Sequence, residues 1–420
     1  MIRRVLATAV LFHVWFVAAV FAGQVEVLAR EGKGRLERQD GRLVLYVSGT
    51  PYEMGFQHGR LLPDLVRKNF DAVLDNRGKI GESTEYQAYK VLAPGMHFFL
   101  RRHVPERFRE EMKGLAEGSG LPYDRIEAGN LFPEAFHCSG MALMGKATKD
   151  GSLYHVRILD YMTEAGLQET ALVIIHEPEG GHRWMNVGFA GFIGSVTGMN
   201  DAQVTIGEMG GRGLASWNGM PMAFLVRDAL ERAGTLEEAV SIFRETPRTC
   251  EYYYVISDAK IPDARAVWAT HDDFETAGPG ERFGFVRVGK PPQGAADGKA
   301  FVRGSQVVVE PHRILIEDSE NDVEGFIALQ PENCVVVSGP DRYQHFVDRL
   351  LPRYGEVDES LLMEMVKRPV AMRSNLHCAI FHPATLEAWV AIAAPDGSPA
   401  CDQPYARYSL APQDGGTARD

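Results

Sequence analysis

Two neighbouring stretches decide the fold expected of this chain, namely Phe136-His137-Cys138-Ser139-Gly140 and Tyr154-His155-Val156-Arg157-Ile158-Leu159-Asp160-Tyr161. A Gly- and Asp-containing segment at 148–151 separates them, and these residue types are typical of a tight turn. The second stretch therefore predicts a strand that follows the turn and carries Arg157 and Asp160 towards Cys138. We interpret Cys138 as a thiol nucleophile that begins a new chain after self-cleavage.

The chemistry of a thiol explains why these residue types belong together. An unactivated cysteine has a pKa of roughly 8.5, so little of it is thiolate at neutral pH. An α-amino group on Cys138 itself, with a pKa of about 7.7–8.0, is a suitable base. Arg157 is expected to stabilise the thiolate and Asp160 to hold the amine. Residues three apart on a flat strand face opposite sides, so this arrangement requires a bend or bulge in the strand.

Composition limits the class of protein. The chain has 420 residues, of which 45% are hydrophobic and 24% are charged, as in a globular protein with a substantial core. Its formal net charge is −12, which opposes nonspecific binding to nucleic acid. No nucleic-acid partner is expected.

Residues 1–22 resemble a secretory signal, with Arg3 and Arg4 before an apolar run from Val5 to Val20. Cleavage before Gly23 is expected, which predicts a secreted or periplasmic protein. The alternative is an uncleaved segment that anchors the chain to a membrane.

The chain has five cysteines, and an odd number leaves one unpaired in an exported protein. If Cys138 is the free one, the others either form two disulfides or are buried thiols; they are Cys250, Cys334, Cys378 and Cys401.

The order of elements predicts the fold class. Residues 30–137 are expected to be mainly helical, including a helix over 51–75 that Thr50 caps and Pro51 begins. From residue 138 onward, short alternating segments predict antiparallel strands, interrupted by pairs of helices. This pattern favours two antiparallel sheets packed together with helices outside.

Two further motifs do not indicate a cofactor. His176 and His182 flank Glu177-Pro178-Glu179-Gly180-Gly181, where the Pro and Gly exclude the helix of a zinc protease and predict a hairpin turn. The glycine-rich segment at 207–213 lacks the strand–helix context of a phosphate loop. No metal or cofactor is therefore expected.

Several motifs together resemble the N-terminal-nucleophile hydrolases of the penicillin acyltransferase family (acyl-coenzyme A:6-aminopenicillanic acid acyltransferase), with bile-salt hydrolase and acid ceramidase as more distant relatives. The motifs are Gly49-Thr50-Pro51-Tyr52-Glu53-Met54-Gly55-Phe56-Gln57-His58-Gly59, Glu111-Met112-Lys113-Gly114-Leu115-Ala116-Glu117-Gly118-Ser119-Gly120, Cys138-Ser139 with Arg157 and Asp160, and Gly198-Met199-Asn200-Asp201. The resemblance extends from about residue 43 to residue 408, which is nearly the whole chain after the signal.

The resemblance implies an α+β fold, a four-layer αββα sandwich of two antiparallel sheets with outer helices. It implies cleavage between His137 and Cys138, which leaves a light chain of residues 23–137 and a heavy-chain core of residues 138–410. A disordered tail, 411–420, is expected after the core.

The resemblance also implies the chemistry. Cys138 attacks an amide, passes through a thioester and releases the acyl group to water or to another amine. Asn200 is expected to line the oxyanion hole, by its backbone N–H or by its side chain. The expected small-molecule partner is an N-acyl amide, and acyl-coenzyme A or a second amine acceptor are further candidates. The light and heavy chains of one precursor are expected to be partners of each other.

The chain departs from the bile-salt-hydrolase pattern at Val336-Val337-Ser338-Gly339-Pro340, where a second oxyanion asparagine is expected. Ser338 and Asn333 are the remaining candidates for that donor. Two alternative functions stay open: an inactive binding protein with the same fold, and an unprocessed papain-like hydrolase in which Cys138 pairs with a distant histidine.

Overall fold

The structure is a computed structural model that describes residues 25–75, 95–131, 137–161, 163–211, 216–281, 283, 299–302, 305–310, 313–317 and 330–412. The predicted signal segment at 1–22 lies outside these residues, as do residues 413–420 of the predicted tail. Both interpretations remain predictions.

Most strands belong to two large sheets. In chain order the strands are β1 (Val25–Glu31), β2 (Gly34–Gln39), β3 (Arg42–Gly49), β4 (His137–Leu143), β5 (Tyr154–Asp160), β6 (Ala171–Pro178), β7 (Trp184–Phe189), β8 (Thr197–Asn200), β9 (Val204–Gly210), β10 (Tyr252–Asp258), β11 (Asp263–Ala269), β12 (Phe274–Ala277), β13 (Lys299–Val302), β14 (Ser305–Glu310), β15 (Arg313–Glu317), β16 (Cys334–Val337), β17 (Asn375–His382), β18 (Glu387–Ile392) and β19 (Ala406–Ser409). A 10-stranded sheet has the order β1-β2-β3-β6-β7-β8-β9-β10-β11-β12, a 6-stranded sheet has the order β16-β4-β5-β17-β18-β19, and β13-β14-β15 form a 3-stranded sheet.

Helices cover the outer face of each large sheet. They are Pro51–Leu61, Pro63–Leu74, Glu106–Ser119, Tyr123–Asn130, Met222–Arg232, Leu236–Glu245, Pro340–Leu350 and Glu359–Met365, with residues 95–100 also helical. The helices before residue 250 pack on the ten-stranded sheet, and the last two pack on the six-stranded sheet.

The inner faces of the two sheets pack against each other. Val44, Val173 and Met185 of the ten-stranded sheet share a core cluster with Phe381 and Val390 of the six-stranded sheet. The predicted four-layer αββα sandwich is therefore confirmed.

The front section differs from the prediction of a mainly helical segment. Residues 25–49 form β1, β2 and β3, and β3 pairs with β6 in parallel, with Val44 opposite Val173. The other described pairs of the ten-stranded sheet are antiparallel. The parallel pair of β3 with β6 joins the N-terminal segment to the rest of the sheet.

The predicted helix over 51–75 is two helices. Thr50 caps the first one, since its side chain accepts from the Glu53 N–H, and Pro51 is the first helical residue, as predicted. The break falls at Leu62, directly before Pro63, because the residue that precedes a proline disfavours the helical conformation.

Glycines allow two N-terminal helices to touch through their backbones. A Cβ atom on Gly55 would lie 1.9 Å from the Glu111 carbonyl oxygen, and one on Gly114 would lie 2.1 Å from that of Tyr52. Any other residue at either position would force the helices apart. This contact gives a physical reason for the glycines of the first two motifs.

Candidate active site

The structure brings Cys138 and Arg157 together between the two sheets. Cys138 lies in β4 opposite Leu159 of β5, and Arg157 lies opposite Gly140, so the two side chains are diagonal neighbours on one face. Arg157 Nη2 donates to Cys138 Sγ over 3.2 Å, and both residues are fully buried. The arginine therefore places a positive charge in direct contact with the thiol.

A third buried residue, Glu208 of β9, completes this group. Its Oε2 lies 3.4 Å from Arg157 Nη2, and β9 is buried along its whole length. The sequence analysis did not identify Glu208 as a site residue. Glu208 could have been found from the sequence as a carboxylate within a strand of mostly small and apolar residues. A charge buried in such a strand requires a partner.

Burial keeps the thiol neutral in the intact chain. It raises the pKa of Cys138 to about 11, against the opposing effect of the Arg157 guanidinium. Burial also raises the pKa of Glu208 to about 7, and Arg157 again opposes the shift. At neutral pH the intact chain therefore holds Cys138 as a thiol, and activation requires a change in its surroundings.

Three polar atoms around this group have no hydrogen-bond partner among the residues that the structure describes. They are Arg157 Nε, Glu208 Oε1 and His155 Nε2. The other ring nitrogen of His155 lies 2.8 Å from Ser257 Oγ, and burial lowers the pKa of His155 to about 3, so its ring is neutral. Polar groups left unpaired inside a protein are unusual and often mark a functional site.

Asp160 lies at the end of the same strand, with its carboxylate directed to the opposite face. The carboxylate accepts from the Arg342 guanidinium and, at 2.9 Å, from the Met372 N–H, whereas the Asp160 backbone amide hydrogen-bonds to the Cys138 thiol. The expected alignment of the Arg157 and Asp160 side chains is therefore not formed in the intact chain. The strand stays extended at this point, and each side chain follows the alternation of the pleat.

The Asn200 side chain is bonded to backbone groups and not to Cys138. Its Nδ2 donates to the carbonyl oxygens of Leu230 and Ala233 at 3.0 and 2.8 Å, and its Oδ1 accepts from the Val204 N–H at 2.9 Å. Its side chain thus connects the end of a helix to the β8–β9 turn. Both ends of the side-chain amide are bonded there, which does not favour the side-chain form of the expected oxyanion role, and the role of its backbone N–H stays a prediction.

Neither candidate for the second oxyanion donor reaches the thiol. Ser338 Oγ lies 2.5 Å from Ser139 Oγ, on the face of β4 opposite to Cys138 because the two residues are adjacent in a strand. Asn333 precedes β16, whose first residue lies opposite Leu143, five residues along β4 and about 17 Å from Cys138 at the usual rise of a strand. Its amide donates to the Tyr354 hydroxyl at 2.9 Å.

The five cysteines are all free and buried, which agrees with the buried-thiol alternative. The described residues contain no cluster of His, Cys, Asp or Glu suited to a metal ion. No helix within the described part of the chain is long and apolar enough to cross a membrane.

The chain is similar to known proteins over part of its length. Residues 147–270 match the family model of acyl-coenzyme A:6-aminopenicillanic acid acyl-transferase. Protein dcd1B of Dictyostelium discoideum is 27% identical over 265 residues, which are 56% of this chain and 53% of that protein. Acid ceramidase of Rattus norvegicus is 26% identical over 181 residues, which are 36% of this chain and 45% of that protein.

The matched regions cover about half the length of the first curated relatives, from 42% to 57%. Among solved structures, the Caenorhabditis elegans N-acylethanolamine-hydrolyzing acid amidase ortholog has a TM-score of 0.39 and 17% identity, over 59% of this chain and 93% of that chain. At this TM-score the likeness says nothing about the site. The family and sequence matches confirm the resemblance that the motifs predict.

Proposed function

Because the chain is similar to the N-terminal-nucleophile hydrolases of the penicillin acyltransferase family, we propose that it is a self-cleaving cysteine amidohydrolase or acyltransferase. Its substrate in this proposal is a small N-acyl amide, the class to which the name of the acid ceramidase relative points. The observation that carries the proposal is the 3.2 Å contact between Cys138 Sγ and Arg157 Nη2 in a buried site.

In the first step the chain cuts itself before Cys138. The thiol loses its proton and Sγ attacks the carbonyl carbon of His137, while the peptide C–N bond breaks and the Cys138 nitrogen takes up a proton. Water then hydrolyses the thioester, which frees the thiol and leaves a carboxylate on His137. The products are a light chain that ends at His137 and a heavy chain with a new α-amino group.

In the second step the α-amino group acts as the base. It takes the Cys138 proton, and the thiolate, stabilised by Arg157, attacks the carbonyl of the substrate amide. The leaving amine takes up the proton, and the resulting thioester is resolved by water or by a second amine. Hydrolysis and acyl transfer differ only in this last acceptor. In the transferase alternative acyl-coenzyme A is the acyl donor: the Cys138 thiolate attacks its thioester carbonyl, the coenzyme A thiol leaves, and an amine takes the acyl group from Cys138.

The surroundings of Cys138 favour this proposal over a papain-like mechanism. Among the described residues, His155 Nδ1 lies 2.8 Å from Ser257 Oγ, and His377 Nε2 lies 3.0 Å from Thr197 Oγ1. Neither histidine is hydrogen-bonded to Cys138. Burial holds the pKa of both rings below the ordinary histidine value. A base supplied by the new chain end requires neither of them.

Residues 1–22 indicate where the proposed enzyme acts. The charged and apolar pattern at 1–22 supports export, so we place the enzyme outside the cytoplasm, in the periplasm or the medium. Cleavage would then yield the light chain, 23–137, and the heavy chain from 138 onward.

Denaturing electrophoresis with intact mass spectrometry tests the proposal. We expect two fragments, of which the larger begins at Cys138, and hydrolysis of N-acyl amides by the cut form. Cys138→Ala is expected to remain a single chain. The matched control is Cys334→Ala, which removes another fully buried thiol and should be cut normally. An active wild-type protein that stays uncut would refute self-cleavage, and a processed Cys138→Ala chain would refute the assigned nucleophile.

A further inference from the structure

The loop between β7 and β8, residues 190–196, is buried almost throughout although it has no regular structure. Buried backbone groups require partners, and many of those used here come from the N-terminal segment. Gly191 also has a φ of +82°, and a Cβ atom there would lie 2.8 Å from Val66. The loop is therefore shaped to fit against the N-terminal helices.

Three N-terminal helices each direct one buried polar side chain to the backbone of this loop. His58 Nε2 accepts from the Gly191 N–H at 2.8 Å, and Asn69 Nδ2 donates to the Ala190 carbonyl at 2.8 Å. Asn130 makes two bonds, donating to the Gly191 carbonyl at 3.0 Å and accepting from the Ile193 N–H at 2.8 Å.

An ion pair holds the same loop from a second direction. Arg227 Nη1 donates to the Ile193 carbonyl at 2.7 Å and to Glu111 Oε1 at 2.9 Å. Glu111 belongs to the N-terminal helix that packs against the first motif through glycines, and its Oε2 accepts from Arg227 Nη2 at 2.5 Å. The contacts to the loop thus come from residues on both sides of the proposed cleavage point.

The last residue of the loop, Val196, contacts the active-site group through Glu208. The Glu208 N–H donates to the Val196 carbonyl at 2.9 Å, beyond the last residue of β9 that pairs with β8, which is Gly207 opposite Thr197. On one side Glu208 lies opposite Tyr254 of β10, and on its other side the loop, rather than β8, accepts the hydrogen bond of its backbone amide. Its carboxylate then contacts Arg157, which contacts Cys138.

We propose that the N-terminal segment positions the reaction centre, in which His58, Asn69 and Asn130 hold the 190–196 loop and the loop supports Glu208 beside Arg157. The effect on catalysis rests on the proposed function, whereas the effect on the position of Glu208 does not.

Asn130→Ala tests the proposal because Asn130 makes two of the bonds to the loop. Hydrogen–deuterium exchange on the full chain, in the Cys138→Ala background, should show at least tenfold faster exchange in peptides covering 190–196 and in the peptide that contains Glu208. In the active chain, self-cleavage should slow at least tenfold and its pH profile should shift. Asn69→Ala, which removes one bond to the loop and the bond from the Thr170 hydroxyl, is the milder variant for the loop if Asn130→Ala does not fold.

Thr235→Ala is the matched control, since it removes a helix cap without touching the loop. It should change neither the exchange of these peptides nor the cleavage. If the 190–196 amides open while the Glu208 peptide and the cleavage rate stay as in the wild type, the proposal is refuted. If the wild-type chain is never cut, the proposed function fails, and faster exchange at the Glu208 peptide still supports the positioning role, while unchanged exchange overturns it.

Discussion

Two arginines are fully buried among the residues that the structure describes, and the two differ in how completely their nitrogens are hydrogen-bonded. Arg227 is saturated: its three nitrogens donate to Glu111, to Glu231 at 2.7 Å and to the Ile193 carbonyl. Arg157 has one nitrogen without a partner among the described residues, and its glutamate lies 3.4 Å away with one oxygen unpaired. The same two residue types thus form a complete network in one region and an incomplete one in the other.

The difference between the two hydrogen-bond networks indicates that Arg227 and Arg157 have different roles. A complete buried network holds elements in one arrangement, because breaking any of its bonds leaves a charge without a partner. An incomplete one retains unused hydrogen-bonding capacity, which a new α-amino group and a substrate can use. We therefore expect Arg227 to matter most for stability and Arg157 to matter most for chemistry.

The largest stability effect is expected for Arg227→Met. The substitution leaves the buried Glu111 without its partner and Glu231 with only Arg107, at 3.3 Å, and the breaking of a buried ion pair costs about 3–5 kcal/mol. Urea unfolding in the Cys138→Ala background measures this effect on an uncut chain. Adding Glu111→Gln to Arg227→Met should recover part of the loss, whereas a loss below about 1 kcal/mol would mean that the network is not what holds these helices.

Arg157→Met should have the opposite effect to Arg227→Met, with a small loss of stability and a large loss of self-cleavage rate. The loosely held Glu208 can take up a proton when its partner is removed, since burial already raises its pKa to about 7. We expect a stability loss smaller than that of Arg227→Met in the same background, together with self-cleavage slowed about 10²-fold or more, as for other lost transition-state donors. Cleavage at the wild-type rate would contradict the assignment of Arg157 to the chemistry.

Glu208→Gln should remove a pH dependence that the intact chain carries. The raised pKa means that, between the ordinary glutamate value of 4.5 and about 7, the unfolded state loses the Glu208 proton while the folded state keeps it. Stability from this group therefore falls as pH rises through that window, by at most about 1.4 kcal/mol per pH unit. Unfolding midpoints of the Cys138→Ala chain at pH 5 and pH 7 should differ more than those of its Glu208→Gln variant, and equal differences would show that Glu208 is not the titrating group.

The sequence predicts the layers of the fold but not all members of the site. Local signals such as Thr50 before Pro51, or the alternation around Cys138, specify elements and their faces without reference to the rest of the chain. Glu208 could not be assigned in this way, because its approach to Arg157 depends on the packing of one sheet on the other. Asn200 shows the converse, since an amide in a motif near the expected site instead bonds the end of a helix.

The smallest expected effect concerns Ser338, at the position where the expected asparagine is absent. Its hydroxyl lies 2.5 Å from that of Ser139, and both residues are buried. Ser338→Ala should therefore cost about 1 kcal/mol, the usual net value of one hydrogen bond, and should leave the rate of self-cleavage within about threefold of the wild type, because the hydroxyl faces away from Cys138. Ser139→Ala is the matched control, as it removes the same bond from the other side. A rate lowered about tenfold or more by Ser338→Ala but not by Ser139→Ala would mean that Ser338 turns towards the thiol during the reaction and supplies the second oxyanion donor.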